Sequence, residues 1–362
     1  MLRHRFGMKT APLLTLFLLL PTVAAAQAGP SAQAGRLGAG MEAFVATLDA
    51  DQRDAALYAW EDDERFDLRL APLGLEGLRV DEMSDAQWAE LEGLLGQVLS
   101  PEGLATMNTI RSLENEVKEV EGGLFGFLFD RIRLVGRYFL AVFGEPAADS
   151  TWGFRFDGHH LSMNVTAVPG RPLSATPLFF GAQPREVPTS MERAGLRALD
   201  LEEDLAVAFL NGLSDAERGR ARIPWQEGSA INRPMSISGE VDLVLPPAEG
   251  LARDTLSPAS VAALDALTDA LLRHFQPAIA ARYRTMLQGA SGPVTIQYAS
   301  FADDEATAVE AGRALYYRIQ GGGLSIEFDD TAEAADHIHI VYRHPENDFG
   351  RDLLGEHRAT AH

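Results

Sequence analysis

The chain has no cysteine, which excludes disulfides, thiol nucleophiles, iron–sulfur ligation, c-type haem attachment and cysteine-bound zinc. Lysine is almost as scarce. Beyond the first 26 residues only Lys118 remains, in the charged stretch "ENEVKEVE", so Schiff-base chemistry has one poor candidate. Positive charge as a whole is in deficit, with 31 Lys and Arg against 52 Asp and Glu and a formal net charge of −21. Such a surface repels nucleic acid and anionic lipid, and both are excluded as expected partners. Also missing are a phosphate-binding Gly-x-x-x-x-Gly-Lys loop, a Gly-x-Ser-x-Gly elbow and a His-Glu-x-x-His helix. The glycine-rich pieces at 36–40 and 321–323 lack the strand–loop–helix context of a dinucleotide site.

What is present is an ordinary globular composition. Of 362 residues 46% are hydrophobic and 23% charged, enough for a substantial core. Arg3, Arg5 and Lys9 precede the apolar run "APLLTLFLLLPTVAAA", which ends at Ala24-Ala25-Ala26. Residues 1–26 therefore read as a secretory signal peptide, with cleavage expected before Gln27 and a periplasmic or extracellular mature protein that does not span a membrane. The small-residue stretch 27–40, "QAGPSAQAGRLGAG", reads as a flexible linker.

The chain resembles itself. "AFVATLDADQRDAALYAW" at 43–60 matches "AFLNGLSDAERGRARIPW" at 208–225, aligning Phe44 with Phe209 and Trp60 with Trp225. "GLRVDEMSDAQWAELEGLL" at 77–95 matches "GLARDTLSPASVAALDALT" at 250–268, and "FRFDGHHLSMNV" at 154–165 matches "YRIQGGGLSIEF" at 317–328. Three matches in one order point to an internal duplication. Ser84 and Ser214 head capping boxes, and Ser100-Pro101 and Ser257-Pro258 place a cap before a first-turn proline, so each half begins with helices. Strands follow at 137–143, 152–156 and 161–168, then at 294–299, 315–319, 324–328 and 337–342, with short turns that favour antiparallel hairpins. The expected fold is α+β: two similar helix-then-antiparallel-sheet halves, 41–190 and 191–362, related by a pseudo-twofold within one globular unit.

Function is sought in the nine histidines. His337 and His339 are two apart on a strand and share a face, a common way to offer two nitrogens to one metal. His159 and His160 are adjacent. In a strand His160 would face the site and His159 would support it, whereas on a turn both could ligate. The second half has Gly322 and Gly323 where the first has these two histidines, as expected if one site is assembled between the halves. His357 offers a fifth nitrogen. With no thiolate available, zinc, copper or iron suits such a set. Of the neighbouring carboxylates, Asp348 and Glu327 are the expected catalytic groups, and Arg155, Arg318 and Arg343 lie near enough in sequence to hold an anionic substrate.

"FGEPAADSTWGFRFDGHHLSMNVT", "TPLFFGAQP" and "DHIHIVYRHPENDFGRDLLGEH" resemble the characteristic segments of the bacterial exported family called domain of unknown function 3500. The resemblance extends over nearly all the mature chain. It is specific at Gly-His-His, at His-Ile-His and at Asn347-Asp348-Phe349-Gly350. It implies that His159, His160, His337, His339 and His357 belong to the family pattern while His344 does not, and it implies no particular reaction. The expected function is accordingly an exported protein with a histidine-rich metal site, serving a metal-dependent hydrolase or oxidoreductase. The alternatives are a non-catalytic metal or small-molecule binding protein, and a structural or interaction protein with no site.

Overall fold

The computed structural model describes residues 30–68, 74–120, 138–224, 243–289, 292–300, 308–332 and 335–351. The stretch expected to be a signal peptide, residues 1–26, and His357 lie outside them. Helices α1 (Pro30–Thr47), α2 (Ala50–Ala56), α3 (Asp85–Leu95) and α4 (Pro101–Val120) precede or interleave with β1 (Leu57–Tyr58), β2 (Leu78–Arg79), β3 (Tyr138–Phe143), β4 (Trp152–Gly158), β5 (Leu161–Ala167) and β6 (Leu178–Ala182). Then come α5 (Asp200–Gly212), α6 (Asp215–Ala221), β7 (Leu251–Ala252), α7 (Pro258–Leu272), α8 (Pro277–Leu287), β8 (Val294–Ser300), β9 (Leu315–Gly321), β10 (Leu324–Ala332) and β11 (His337–Arg343). The α+β class expected from sequence is what is found.

The helix starts are those the caps dictate. Ser84 and Ser214 each accept from the backbone N–H three residues on, and Gln87 and Glu217 return the bond to the cap. Ser257 accepts from Ser260 ahead of Pro258, and Ser100 accepts from Gly103 ahead of Pro101. Such caps contribute about 1 kcal/mol each.

The strands of the described residues join one sheet in the order β1-β3-β4-β5-β6-β11-β10-β9-β8-β7, with β2 also on β3. The two chain halves meet where β6 runs antiparallel to β11, and hairpins step outward from that seam on both sides. One transverse row crosses the whole sheet: Leu78, Leu140, Phe156, Met163, Leu178, Tyr342, Ile326, Ile319, Ile296 and Leu251 are successive partners. Alternation puts this row on a single face, where it forms the main core with Phe44, Leu91, Leu95, Leu264 and Leu271 of the helices. The opposite face is polar but buried. It carries Arg155, Asp157, Ser162, Asn164, Arg318, Glu327 and Asp329. Loops close over part of it: Arg155 donates to the Glu64 and Glu76 carbonyls, and Arg318 to the Pro247 carbonyl.

The stretch expected to be a linker is helical from Pro30 onward. Ala34, Leu37, Met41 and Phe44 recur at helical spacing and are buried against the core. The glycines that made it look like a linker permit close approach instead, since a Cβ on Gly38 would lie 2.1 Å from the Ala147 carbonyl oxygen. Among the described residues no helix is long and apolar enough to cross a membrane.

Candidate metal centre

Gly158 pairs with Leu161, so His159 and His160 form the two-residue turn of the β4–β5 hairpin rather than part of a strand. His160 takes the left-handed conformation, with φ of 60°. For a residue bearing a Cβ this costs roughly 1–2 kcal/mol. The β9–β10 hairpin makes its two-residue turn with Gly322 and Gly323, at φ of 58° and 84°. An imidazole is thus held where glycine would be cheaper.

The two rings, stacked on each other, take different partners. His160 lies over Gly181 of β6, where an added Cβ would stand 2.8 Å from its Cδ2. Gly181 is the register partner of His339, so the missing side chain opens a place for His160 beside β11. Its Nε2 reaches 2.6 Å from Nε2 of His337, and its ring centroid lies 5.7 Å from that of His339. His337 and His339 share a face as their spacing requires, with centroids 4.5 Å apart, and both are partly exposed while Ile338 and Ile340 are buried in the core. The ligand nitrogens of His160, His337 and His339 all fall within 4.8 Å of one another. Burial, and then the charges of His337 and His159, push the His339 pKa down to about 3. That imidazole is therefore neutral at pH 7, the form that binds metal.

His159 turns toward helix α4. Its Nδ1 lies 2.6 Å from Oε1 of Glu114, and the two residues are 8% and 4% exposed. Its ring stacks on that of His160 with centroids 3.7 Å apart. Tyr138 donates from its hydroxyl to the His159 carbonyl at 3.0 Å, fixing the turn backbone. Glu114, His159 and His160 make a second group whose ligand atoms lie within 4.8 Å.

The expected catalytic carboxylates stand elsewhere. Asp348 accepts from Arg343 Nε at 2.6 Å and from the His344 backbone N–H at 2.8 Å. Arg343 is four residues beyond His339 on β11, roughly 13 Å along the strand, so Asp348 anchors the far end. Glu327 is closer, being the register partner of Val341, but is engaged by the Tyr316 hydroxyl at 2.9 Å. The arginines are likewise committed, Arg155 to Glu64 and Asp157 and Arg343 to Asp348.

Two residues the sequence reading passed over lie at the histidines. Glu114 follows Met107 and Ile110 at helical spacing, so a carboxylate sits in a buried apolar stripe, and that misfit was the available signal. Asp329 is the direct cross-strand partner of His339 and is 1% exposed. Its Oδ1 accepts from the Thr331 backbone and hydroxyl, while Oδ2 has no hydrogen-bond partner. Burial raises its pKa to about 6 against the Thr331 hydrogen bonds, with the Glu327 charge adding to the rise. On the same face, a cavity of about 290 Å³ opens beside Tyr316, Arg318 and Gln297, on the strands beyond Asp329.

Comparison with curated proteins gives no match, and comparison with solved structures gives none either. Residues 31–351 match the profile of a family described as "Protein of unknown function (DUF3500)", nearly the whole chain, and the protein belongs to that family.

Proposed function

We propose that the protein works through a transition-metal site at the seam between its two halves, with His160, His337 and His339 as nitrogen ligands. The observation that carries this is the convergence of three imidazole nitrogens within 4.8 Å from a hairpin turn and a strand 177 residues apart. The donor set fits such an ion: all-nitrogen, thiolate-free, and neutral at His339, which suits zinc, copper or iron. The partial exposure of His337 and His339 leaves room for a further ligand from solvent. That favours a metal-dependent hydrolase or oxidoreductase over a closed storage site.

The direct contact between His160 and His337 favours a second reading, in which the imidazoles form a hydrogen-bonding patch for a small molecule in a non-catalytic binding protein. On our reading the halves are products of duplication, supported by the matching order of hairpins outward from β6 and β11. On the same reading the mature chain is exported, supported by the basic and apolar leader.

The deciding experiment is elemental analysis by plasma mass spectrometry of protein purified without chelators, beside a His337→Ala/His339→Ala double variant. Near-stoichiometric metal that is missing from the folded variant supports the metal reading. Metal-free wild-type protein overturns it in favour of the second reading.

A further inference from the structure

We infer that the cavity over the outer strands of the second half is a binding site for a free α-amino acid with an apolar side chain. The site stands apart from the histidines. Tyr316, on its floor, pairs with Asp329, which pairs with His339, so the two places are roughly 10 Å apart across the sheet. The floor is polar and buried: Arg318, Gln297 and Tyr316 come from β8 and β9 and are 5%, 6% and 2% exposed. The walls are Ile223, Pro224, Pro246 and Pro247, with the exposed Glu249 beside them. Proline fixes its own backbone and carries no N–H, so these walls are apolar and pre-formed. A volume of about 290 Å³ lies at the small end of ligand pockets, which suits a guest of amino-acid rather than nucleotide size.

The first half of the sheet has a guanidinium in the corresponding place. Arg155 has Ala141 and Asn164 as cross-strand partners, and Arg318 has Gln297 and Glu327. Each donates at 3.1 Å to a carbonyl of the segment ahead of the short outer strand, Arg155 to Glu76 and Arg318 to Pro247. At Arg155 the chain supplies a carboxylate, Glu64, whose Oε1 lies 2.7 Å from Nη2. At Arg318 a cavity opens beside the guanidinium, and the carboxylate of a guest repeats the Glu64 contact there. Charge then decides between an anion and a zwitterion. Glu249 lines the same cavity, and Glu327 stands across from Arg318, held by the Tyr316 hydroxyl at 2.9 Å. A plain anion would face both carboxylates, whereas an ammonium group is attracted by them. Carboxylate to Arg318, ammonium to Glu249 and side chain to the prolines places every part of an amino acid, and the Gln297 amide can donate to one charged group and accept from the other.

The probe is L-leucine, titrated calorimetrically into the full chain after any metal has been stripped, so that chelation at the histidines cannot imitate binding. Beside it run glycine, 4-methylpentanoate, which lacks the ammonium group, and leucinol, which lacks the carboxylate. Wild type should bind leucine more tightly than any of the three. Glu249→Gln changes an exposed side chain and should weaken leucine about tenfold while 4-methylpentanoate is not weakened, a split that a merely structural role would not produce. Arg318→Gln should weaken leucine about 100-fold and leucinol far less. No leucine binding to wild type at millimolar concentration overturns the inference. So does glycine or 4-methylpentanoate that binds as tightly as leucine, or wild-type leucine affinity in Glu249→Gln. Should Arg318→Gln fail to fold, Glu249→Gln and the two truncated ligands still decide. Each of these outcomes leaves the metal reading to the elemental analysis.

Discussion

Nε2 of His160 and Nε2 of His337 face each other at 2.6 Å, although 177 positions separate them in the chain. A tetrahedral ion with bonds of 2.0–2.1 Å would hold such nitrogens about 3.3 Å apart. Ion binding and the direct contact are therefore alternatives, separated by a shift of well under 1 Å in each ring. A loop-borne histidine can make that shift, whereas β11 is held on both sides by neighbouring strands.

The position of His160 depends on the bare backbone of Gly181. Gly181→Ala places a methyl group 2.8 Å from the His160 ring, and overpacking of this kind costs about 1–3 kcal/mol. Metal affinity should fall together with the thermal midpoint. Retention of both at wild-type values would show that His160 has another resting place.

His339 sets an acid limit. Its folded pKa of about 3 lies below the ordinary histidine value of 6.5, so between those pH values the unfolded chain binds the extra proton. Its contribution favours the fold fully above pH 6.5 and is lost as the pH falls toward 3. In urea titrations of metal-stripped protein, His339→Gln should flatten the decline of stability across this window. An unchanged slope would remove His339 as its source.

Asp330 acts in the opposite sense. It is fully buried, and burial, followed by the Glu203 charge, raises its pKa to about 8 against the Arg185 charge and a hydrogen bond from the His337 backbone. Here the folded state holds the proton that the unfolded state has lost, so this residue's contribution is complete below pH 3.8 and disappears as the pH rises through 8. Asp330→Asn should therefore gain on wild type as the pH rises from 4 to 8, by an amount on the order of a few kcal/mol at the top of the range. A difference that is constant with pH would contradict the shift.

The docking of helix α1 can be tested by comparing one of its glycines with a glycine of α3. Gly38→Ala drives a Cβ into the Ala147 carbonyl and should destabilise by about 1–3 kcal/mol. Gly93→Ala in α3 meets nothing within 4 Å and should be neutral or stabilising by up to about 1 kcal/mol. Equal midpoints for the two variants would mean that α1 does not dock as described.

Much of the fold was legible because its causes are local. Serine caps, first-turn prolines and two-residue alternation are written within a few positions of the elements they make, and the helices and strands at Ser84, Ser214, Ser257, Tyr138 and Val294 followed from them. The pairing of His337 with His339 on one face was equally local, being a consequence of strand periodicity alone. The sequence determined α1 less plainly, because glycine reads as a breaker until a neighbouring backbone is known to press against it.

Tertiary structure alone decided the rest, for one physical reason: distances between remote segments are set by register and packing and not by residue spacing. It made His159-His160 a turn, brought His160 across Gly181 to His337, and placed Glu114 and Asp329 beside imidazoles far from them in the chain. It also carried Asp348 away to Arg343. The sequence chose which side chains were available for chemistry, and the seam between β6 and β11 chose which of them meet.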